Sequence, residues 1–290
     1  MQKPVRKAVF PVAGLGTRIL PATKALPKEM LPVVDKPLIQ YAIEEARAAG
    51  IEQFIFVTGR AKSAIEDHFD LAFELEATLR ERGRGELLDE LRAWLPSAGE
   101  VAYTRQQRPL GLGHAVWCAR HLVGEEPFAV LLVDDLMVGE PPCLKQMVEA
   151  YRETGGNIVA VVEVPREETR RYGVLDVVAD DGTLVRARGV VEKPDPAVAP
   201  STLTIIGRYI IQPEIFLHLD GLEPGSGNEI QLTDGLDRLI AAGQPFHGMR
   251  AAARRFDCGD KLGYLEANIA LGLQHPALGA QLRRVLQTYL

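Results

Sequence analysis

The 290-residue chain is 47% hydrophobic and 25% charged, enough apolar content to bury a full core as one large domain or one domain with a lobe. Its formal net charge of −6 leaves no basic footprint for nucleic acid. The longest uninterrupted apolar stretch, Phe128 to Val133, is too short to span a bilayer, so no membrane partner is expected. Cys118, Cys143 and Cys258 are odd in number and far apart, which points to reduced thiols rather than a disulfide or zinc framework, and the six histidines lack metal-ligand spacing. The basic N-terminus carries only a short apolar stretch that runs straight into a glycine loop. A removable signal peptide is therefore not expected, and the cytoplasm is the expected compartment.

The first predicted element is the apolar run Ala8 to Ala13, directly followed by Gly14-Leu15-Gly16-Thr17-Arg18, Pro21 and Pro27-Lys28-Glu29-Met30-Leu31-Pro32. A strand ending in a glycine turn lets a polyphosphate approach the backbone without Cβ obstruction. The N–H groups of Gly14, Gly16 and Thr17, with Arg18 and Lys28, supply positive charge for it. A dinucleotide-binding turn needs a third glycine where Ile19 stands, and a Walker A loop needs a Gly-Lys-Ser/Thr that is absent, so both readings fail on spacing.

Further along, Phe54 to Val57, Val101 to Tyr103, Phe128 to Val133 and Ile158 to Val162 read as strands between helical patterns. That alternation predicts an α/β fold with a Rossmann-like, mixed but mostly parallel sheet covered by helices on both faces. Residues 62–94 read as a charged helical excursion over the sheet, with Ile65, Phe69, Phe73 and Leu79 near helical spacing. A small antiparallel part is expected where Val174 to Val178 and Leu184-Val185 flank the turn Asp180-Asp181-Gly182, with two further strands at Val190-Val191 and Leu203 to Ile211. From Lys261 the chain reads as helical. Leu278, Leu282, Val285, Leu286 and Tyr289 make one apolar face, which serves either intrachain packing or a homodimer or homotetramer interface. The whole is read as a single domain, 1–290, divided softly into a nucleotide half (1–150), a sugar-phosphate half (151–260) and a C-terminal helical segment (261–290).

The chemistry-bearing residues lie at strand ends. Asp134-Asp135 closes the strand from Phe128, where open α/β sheets bind ligands, and a phosphate loop on the same sheet makes Mg²⁺ binding a better use for Asp134 than helix capping. Asp257 in Phe256-Asp257-Cys258-Gly259 supplies a second carboxylate that, standing alone, reads as an N-cap. Gln106, before Gly111-Leu112-Gly113-His114, offers a carbonyl and an amide side by side for the N3–H and O4 of a uracil or thymine edge, while His114 takes no catalytic role. Glu192-Lys193 closes another strand, with Gly173 earlier. The carboxylate suits sugar hydroxyls and the ammonium a sugar phosphate, although a surface ion pair is the ordinary alternative. Gly227 to Asp234 reads as a helix start with Glu229 in its first turn.

Taken together, Ala13 to Arg18, Pro27 to Pro32, Gly111 to Ala115, Glu192 to Pro194, Ile206 to Tyr209, Glu229 to Asp234 and Phe256 to Gly259 resemble the signature of the sugar-phosphate nucleotidyltransferases. The likeness is greatest to their bacterial UTP–glucose-1-phosphate uridylyltransferase branch, from about Lys7 to the C-terminal helices. The resemblance implies that Ala13, Gly14, Gln106 and Gly111 hold uracil, that Arg18 and Lys28 bind the triphosphate, that Asp134 and Asp257 bind Mg²⁺, and that Gly173, Glu192 and Lys193 contact glucose 1-phosphate. Its expected reaction joins UTP and glucose 1-phosphate to give UDP-glucose and pyrophosphate by in-line displacement. Val133 replaces a common proline and Gly235 a common alanine, neither of which removes a polar group. A thymidylyltransferase, whose base shows the same edge, and a non-catalytic nucleotide-sugar-binding regulator are the competing readings.

Overall fold

The computed structural model describes residues 2–221, 223–225 and 228–289. β1 (Lys7–Pro11) leads through the glycine loop and three 3-10 turns (Thr17–Ile19, Ala22–Lys24, Lys28–Met30) to a hairpin of β2 (Pro32–Val33) and β3 (Lys36–Pro37). Then come α1 (Leu38–Ala48), β4 (Gln53–Thr58), the helical excursion α2 (Ser63–His68), α3 (Phe73–Glu81) and α4 (Gly85–Ala93), and β5 (Val101–Arg105). α5 (Leu112–Cys118), α6 (Arg120–Val123), β6 (Phe128–Leu131), β7 (Asp135–Val138), α7 (Cys143–Thr154) and β8 (Asn157–Glu163) complete the first half of the sheet. β9 (Gly173–Asp180), β10 (Leu184–Glu192), β11 (Leu203–Ile211), α8 (Ile215–Leu219), α9 (Leu232–Ala241), β12 (Phe246–Met249), β13 (Arg254–Asp257), α10 (Lys261–Gln274) and α11 (Gly279–Gln287) follow.

Among the described residues, nine strands form one sheet in the order β5-β4-β1-β6-β11-β8-β12-β10-β9. β5, β4, β1 and β6 pair in parallel, which sets their carboxyl ends along one edge. β11 and β10 pair antiparallel with both neighbours, so the sheet is mixed. The period of two along β1 sends Ala8 and Phe10 to one face and Val9 to the other. On the first face α1, α2 and α7 pack over Phe54, Phe56 and Leu131; on the second α5, α8 and α9 pack over Ile55, Val57 and Val130. Each fully buried phenylalanine such as Phe10 or Phe56 stabilises the fold by about 2–3 kcal/mol.

Two expectations are corrected. Val190-Val191 is not a separate strand: it is the end of β10, which bulges between Arg186 and Gly189 and stays paired with β9. Phe73, placed by spacing on the packed face of the excursion, is 77% exposed. α3 instead buries Glu76, which accepts from Arg92 Nε of α4 at 3.0 Å, so an ion pair rather than an aromatic joins these two helices. β7 and β13, which no periodicity announces, form a separate antiparallel ribbon with Asp135 opposite Asp257.

Candidate active site

The carboxyl edge of β1, β4, β5 and β6 gathers the predicted nucleotide residues. Gly14 and Thr17 are exposed in the loop after β1, while Ala13 is buried behind them. Gly16 turns the chain at φ 65°, and Thr23 Oγ1 donates to its carbonyl at 2.7 Å. Lys28 is fixed in a 3-10 turn whose next residue, Glu29, is buried and accepts from Lys62 Nζ of the excursion at 2.7 Å. The turn is thereby tied to the residue just before α2.

Lys28 Nζ lies 2.6 Å from Asp134 Oδ2, and Arg18 Nη2 lies 3.8 Å from the same oxygen. Burial alone would raise the Asp134 carboxyl, but Lys28 and Arg18 outweigh it and hold it below the usual carboxylate range. Burial likewise opposes the Lys28 charge, and Asp134 and Glu29 restore it, so the ammonium stays charged. Asp257 reaches the same place through the ribbon: a Cβ added to Gly259 would lie 2.6 Å from Asp134 Oδ2, 2.9 Å from Arg18 Nη2 and 3.1 Å from Asp257 Oδ1. Two carboxylates and an arginine thus converge on a point kept open by the absence of a side chain. Asp257 is not an N-cap; Asp260 caps α10, accepting from the Leu262 amide at 2.9 Å. The buried Cys258 thiol is pushed up to about 12 by burial and its carboxylate neighbours, so it stays protonated and offers no thiolate. Among the described residues no group of three or more His, Cys, Asp or Glu side chains could hold a metal.

Asp135 plays a different part from its neighbour. Its Oδ1 accepts from Arg255 Nε at 2.6 Å and its Oδ2 from the Gly207 amide at 3.2 Å, which turns it into the chain. Arg255 Nη1 also donates to the Tyr172 hydroxyl at 3.3 Å, and the Tyr172 carbonyl accepts from the Lys193 amide at 2.9 Å. The ribbon is in this way coupled to the residues expected to meet the sugar phosphate. There Gly173 pairs with Glu192 across β9 and β10. Glu192 Oε1 meets Lys193 Nζ at 3.1 Å, and Lys193 itself is held at φ 45°, left-handed for a residue with a Cβ. Thr233 Oγ1 donates to Glu192 Oε2 at 2.7 Å, a partner that the motif Glu229 to Asp234 contains but does not by itself reveal. The helix expected from Gly227 begins only at Leu232, so Glu229 precedes it; Gly227 lies outside the described residues.

Gln106 is 7% exposed, and its Nε2 donates to the Gly111 carbonyl at 2.9 Å and meets His114 Nδ1 at 3.0 Å. The side-by-side donor and acceptor read from the sequence is therefore narrowed to the carbonyl. Gly111, at φ 106°, caps α5; a Cβ there would lie 2.7 Å from the Ile230 carbonyl. Leu110 O accepts from Ile230 N at 2.7 Å and Ile230 O from Gly113 N at 2.9 Å, so the loop after β5 is laced to the approach of α9 and, through Thr233, to Glu192.

A chain of this sequence and fold has relatives. Residues 7–272 match the family described as Nucleotidyl transferase. The UTP–glucose-1-phosphate uridylyltransferase of Komagataeibacter xylinus is 53% identical over 262 residues, covering 90% of this chain and 92% of the relative. That of Bacillus subtilis (strain 168) is 50% identical over 280 residues, covering 97% and 95%. The chain belongs to the nucleotidyl transferase family, among the UTP–glucose-1-phosphate uridylyltransferases. Of solved structures, the UTP-bound enzyme from Acinetobacter baumannii superposes on this uridylyltransferase-family chain with a TM-score of 0.90 at 41% identity, covering 98% of this chain and 99% of that one. A UDP-glucose pyrophosphorylase complexed with UDP-glucose does so at 0.84 and 42% identity, covering 93% and 100%.

Proposed function

We propose that the protein transfers the uridylyl group of UTP to α-D-glucose 1-phosphate, forming UDP-glucose and releasing pyrophosphate. The observation that carries the reading is the meeting of Lys28, Arg18, Asp134 and Asp257 at Gly259, on the edge that also holds Gln106. The sugar phosphate oxygen attacks the α-phosphorus of UTP, and the bond to the β-phosphate bridging oxygen breaks in line with it. A phosphate monoester is already anionic at neutral pH, so no general base is needed and the residues act by alignment and charge neutralisation. Lys28 and Arg18 stabilise the charge that collects on departing pyrophosphate. Lys193 draws the sugar phosphate toward the triphosphate, and Glu192, held by Thr233, accepts from sugar hydroxyls across Gly173.

The convergence of two carboxylates, whose hydrogen bonds and ion pairs among the described residues run to cationic side chains and a backbone N–H group, fits a hard divalent cation that takes one or two carboxylates plus phosphate oxygens. We assign Mg²⁺ to Asp134 and Asp257; bound there it supplies further neutralisation of the nucleotide phosphates. Residues 1–150 form the nucleotide half in this reading, 151–260 the sugar-phosphate half, and 261–290 the C-terminal helical segment. We place the reaction in the cytoplasm, where the free thiols of Cys118, Cys143 and Cys258 stay reduced. No helix among the described residues is long and apolar enough to cross a membrane.

A pyrophosphate-release assay with glucose 1-phosphate and five nucleotides tests the reading. UTP is the preferred substrate. The 5-methyl of dTTP costs about 10- to 200-fold, whereas the mismatched polar edge of CTP costs roughly 10⁴. ATP and GTP are rejected on size. A kcat/KM for dTTP above that for UTP moves the protein to thymidylyl transfer, and release with none of the five leaves a non-catalytic binder.

We also infer a homodimer or homotetramer built through α11. Leu282 packs against Gly272 of α10, but the Val285 side of the same stripe is open and Tyr289 is 83% exposed. Val285→Glu with Tyr289→Glu should lower the mass measured by light scattering without lowering Tm. An unchanged mass returns the stripe to a solvated surface.

A further inference from the structure

We propose that His114 determines base choice without touching the nucleotide, by holding the Gln106 amide in the one orientation that presents its carbonyl to the base. The proposal rests on uridylyl transfer as the reaction. A carboxamide can in principle turn over, exchanging donor for acceptor, and uracil and cytosine differ at positions 3 and 4 by that same exchange. A freely turning Gln106 would accept both. Here the Gly111 carbonyl, which can only accept, faces Gln106 Nε2 at 2.9 Å and fixes the nitrogen on that side. His114 Nδ1, 3.0 Å from the same nitrogen, must then carry its lone pair, with the ring hydrogen on Nε2. Turning the amide over would set Gln106 Oε1 against two acceptors.

Neither acceptor has room to give way. Gly111 is pinned by its positive φ and by the Ile230 backbone. The His114 ring stacks on Trp117, with centroids 5.9 Å apart and planes 24° from parallel, and Cys118 Sγ lies 3.8 Å from Nδ1. The hollow behind the ring is lined by Arg105 and Arg108 from the end of β5 and its loop, Cys118 from the same helix, and Arg120 and His121 from α6, with no carboxylate among its lining residues. Nothing there favours an imidazolium: burial, and after it Arg120, hold His114 below its ordinary value. At neutral pH the lone pair is present and the lock is closed. Protonation at acid pH puts a hydrogen on Nδ1 facing the amide hydrogens, so Gly111 still favours the nitrogen while His114 now favours the oxygen, and the orientation that shows the carbonyl to the base loses its preference.

The test compares kcat/KM for UTP and CTP, with glucose 1-phosphate, from pH 8 down to the most acid pH at which the folded enzyme still turns over. His114→Asn places an amide oxygen near the Nδ1 position without a titrating group, and His114→Phe keeps a ring without an acceptor. The wild-type UTP:CTP ratio should fall as His114 becomes protonated, by about tenfold once it is fully so, the worth of one lost buried hydrogen bond. In His114→Asn the ratio should stay high and flat with pH; in His114→Phe it should be low throughout, chiefly through a gain with CTP. Titration of the substrates themselves is common to all three enzymes. A His114→Phe enzyme with the wild-type ratio, or a pH dependence that persists in His114→Asn, overturns the proposal. A wild-type enzyme that releases pyrophosphate with neither nucleotide overturns the uridylyl reading beneath it, and the two failures are distinguishable.

Discussion

Asp134→Asn should lower kcat/KM by about 100-fold or more while the chain stays folded. The amide keeps the shape of the carboxylate and removes its charge, and the loss of one such electrostatic contact at a reacting centre costs on that order. The geometry makes the effect specific to this member of the pair. Asp134 Oδ2 meets Lys28 and faces the open point at Gly259, beside Asp257. Asp135, next in sequence, is turned inward onto Arg255 and the Gly207 amide, and burial lifts its carboxyl above the usual range although Arg255 pulls the other way. Asp135→Asn should therefore show the converse signature, a lower Tm with a smaller kinetic loss. Metal-dependent turnover near wild type in Asp134→Asn would refute the assignment, and the reverse ranking of the two variants would exchange their roles.

The second large effect is on stability. Arg208 is 1% exposed in the middle of β11, where its Nη2 donates to Glu45 Oε2 at 2.7 Å and its Nη1 to the Leu132 carbonyl at 2.9 Å. The Glu45 carboxylate, on α1, also accepts from the Leu144 amide at 3.0 Å. Arg208→Met strands that carboxylate in the core, and breaking one side of a buried pair costs about 3–5 kcal/mol. For a chain of this size the loss should lower Tm on the order of 10 °C. Replacing both partners, Glu45→Met with Arg208→Met, should recover most of it, because an apolar pair of similar volume is often neutral. Activity should not recover fully with it: the Leu132 carbonyl, two residues before Asp134, keeps the Asp135 amide at 3.2 Å but loses its arginine donor, and the approach to the carboxylate loosens. An unchanged Tm in the single variant would show that the pair carries no such weight.

The sequence announces its strands where a β-branched or aromatic run is buried on both faces, as in β1, β4, β6, β8 and β11. It is silent on the ribbon of β7 and β13, each four residues long, whose pairing unites segments more than a hundred positions apart. Arg186 to Gly189 reads as a break between two strands because arginines and a glycine interrupt the apolar pattern, but that interior is a bulge with one solvated face. The site follows the same logic. Lys28, Asp134, Glu192 and Lys193 are legible because each ends a strand or follows a glycine turn, and the spacing says which edge they share. Partners such as Thr233 for Glu192, Arg208 for Glu45 and His114 for Gln106 are not legible, since periodicity gives the face a side chain occupies and not what waits there.

The ribbon also dictates when in the life of the chain a working centre can exist. Asp134 emerges from the ribosome long before Asp257, and at about 5–20 residues per second the interval is several seconds or more. Until residue 211 has emerged β6 lacks β11, its neighbour in the finished sheet, and throughout the interval the glycine loop lacks the second carboxylate that meets it at Gly259. A nascent or prematurely terminated chain thus carries the loop but not the complete constellation, and cannot turn over substrate while still exposing an unfinished sheet edge. Activity here reports that the whole chain has closed on itself, which makes catalytic competence and conformational maturity one event.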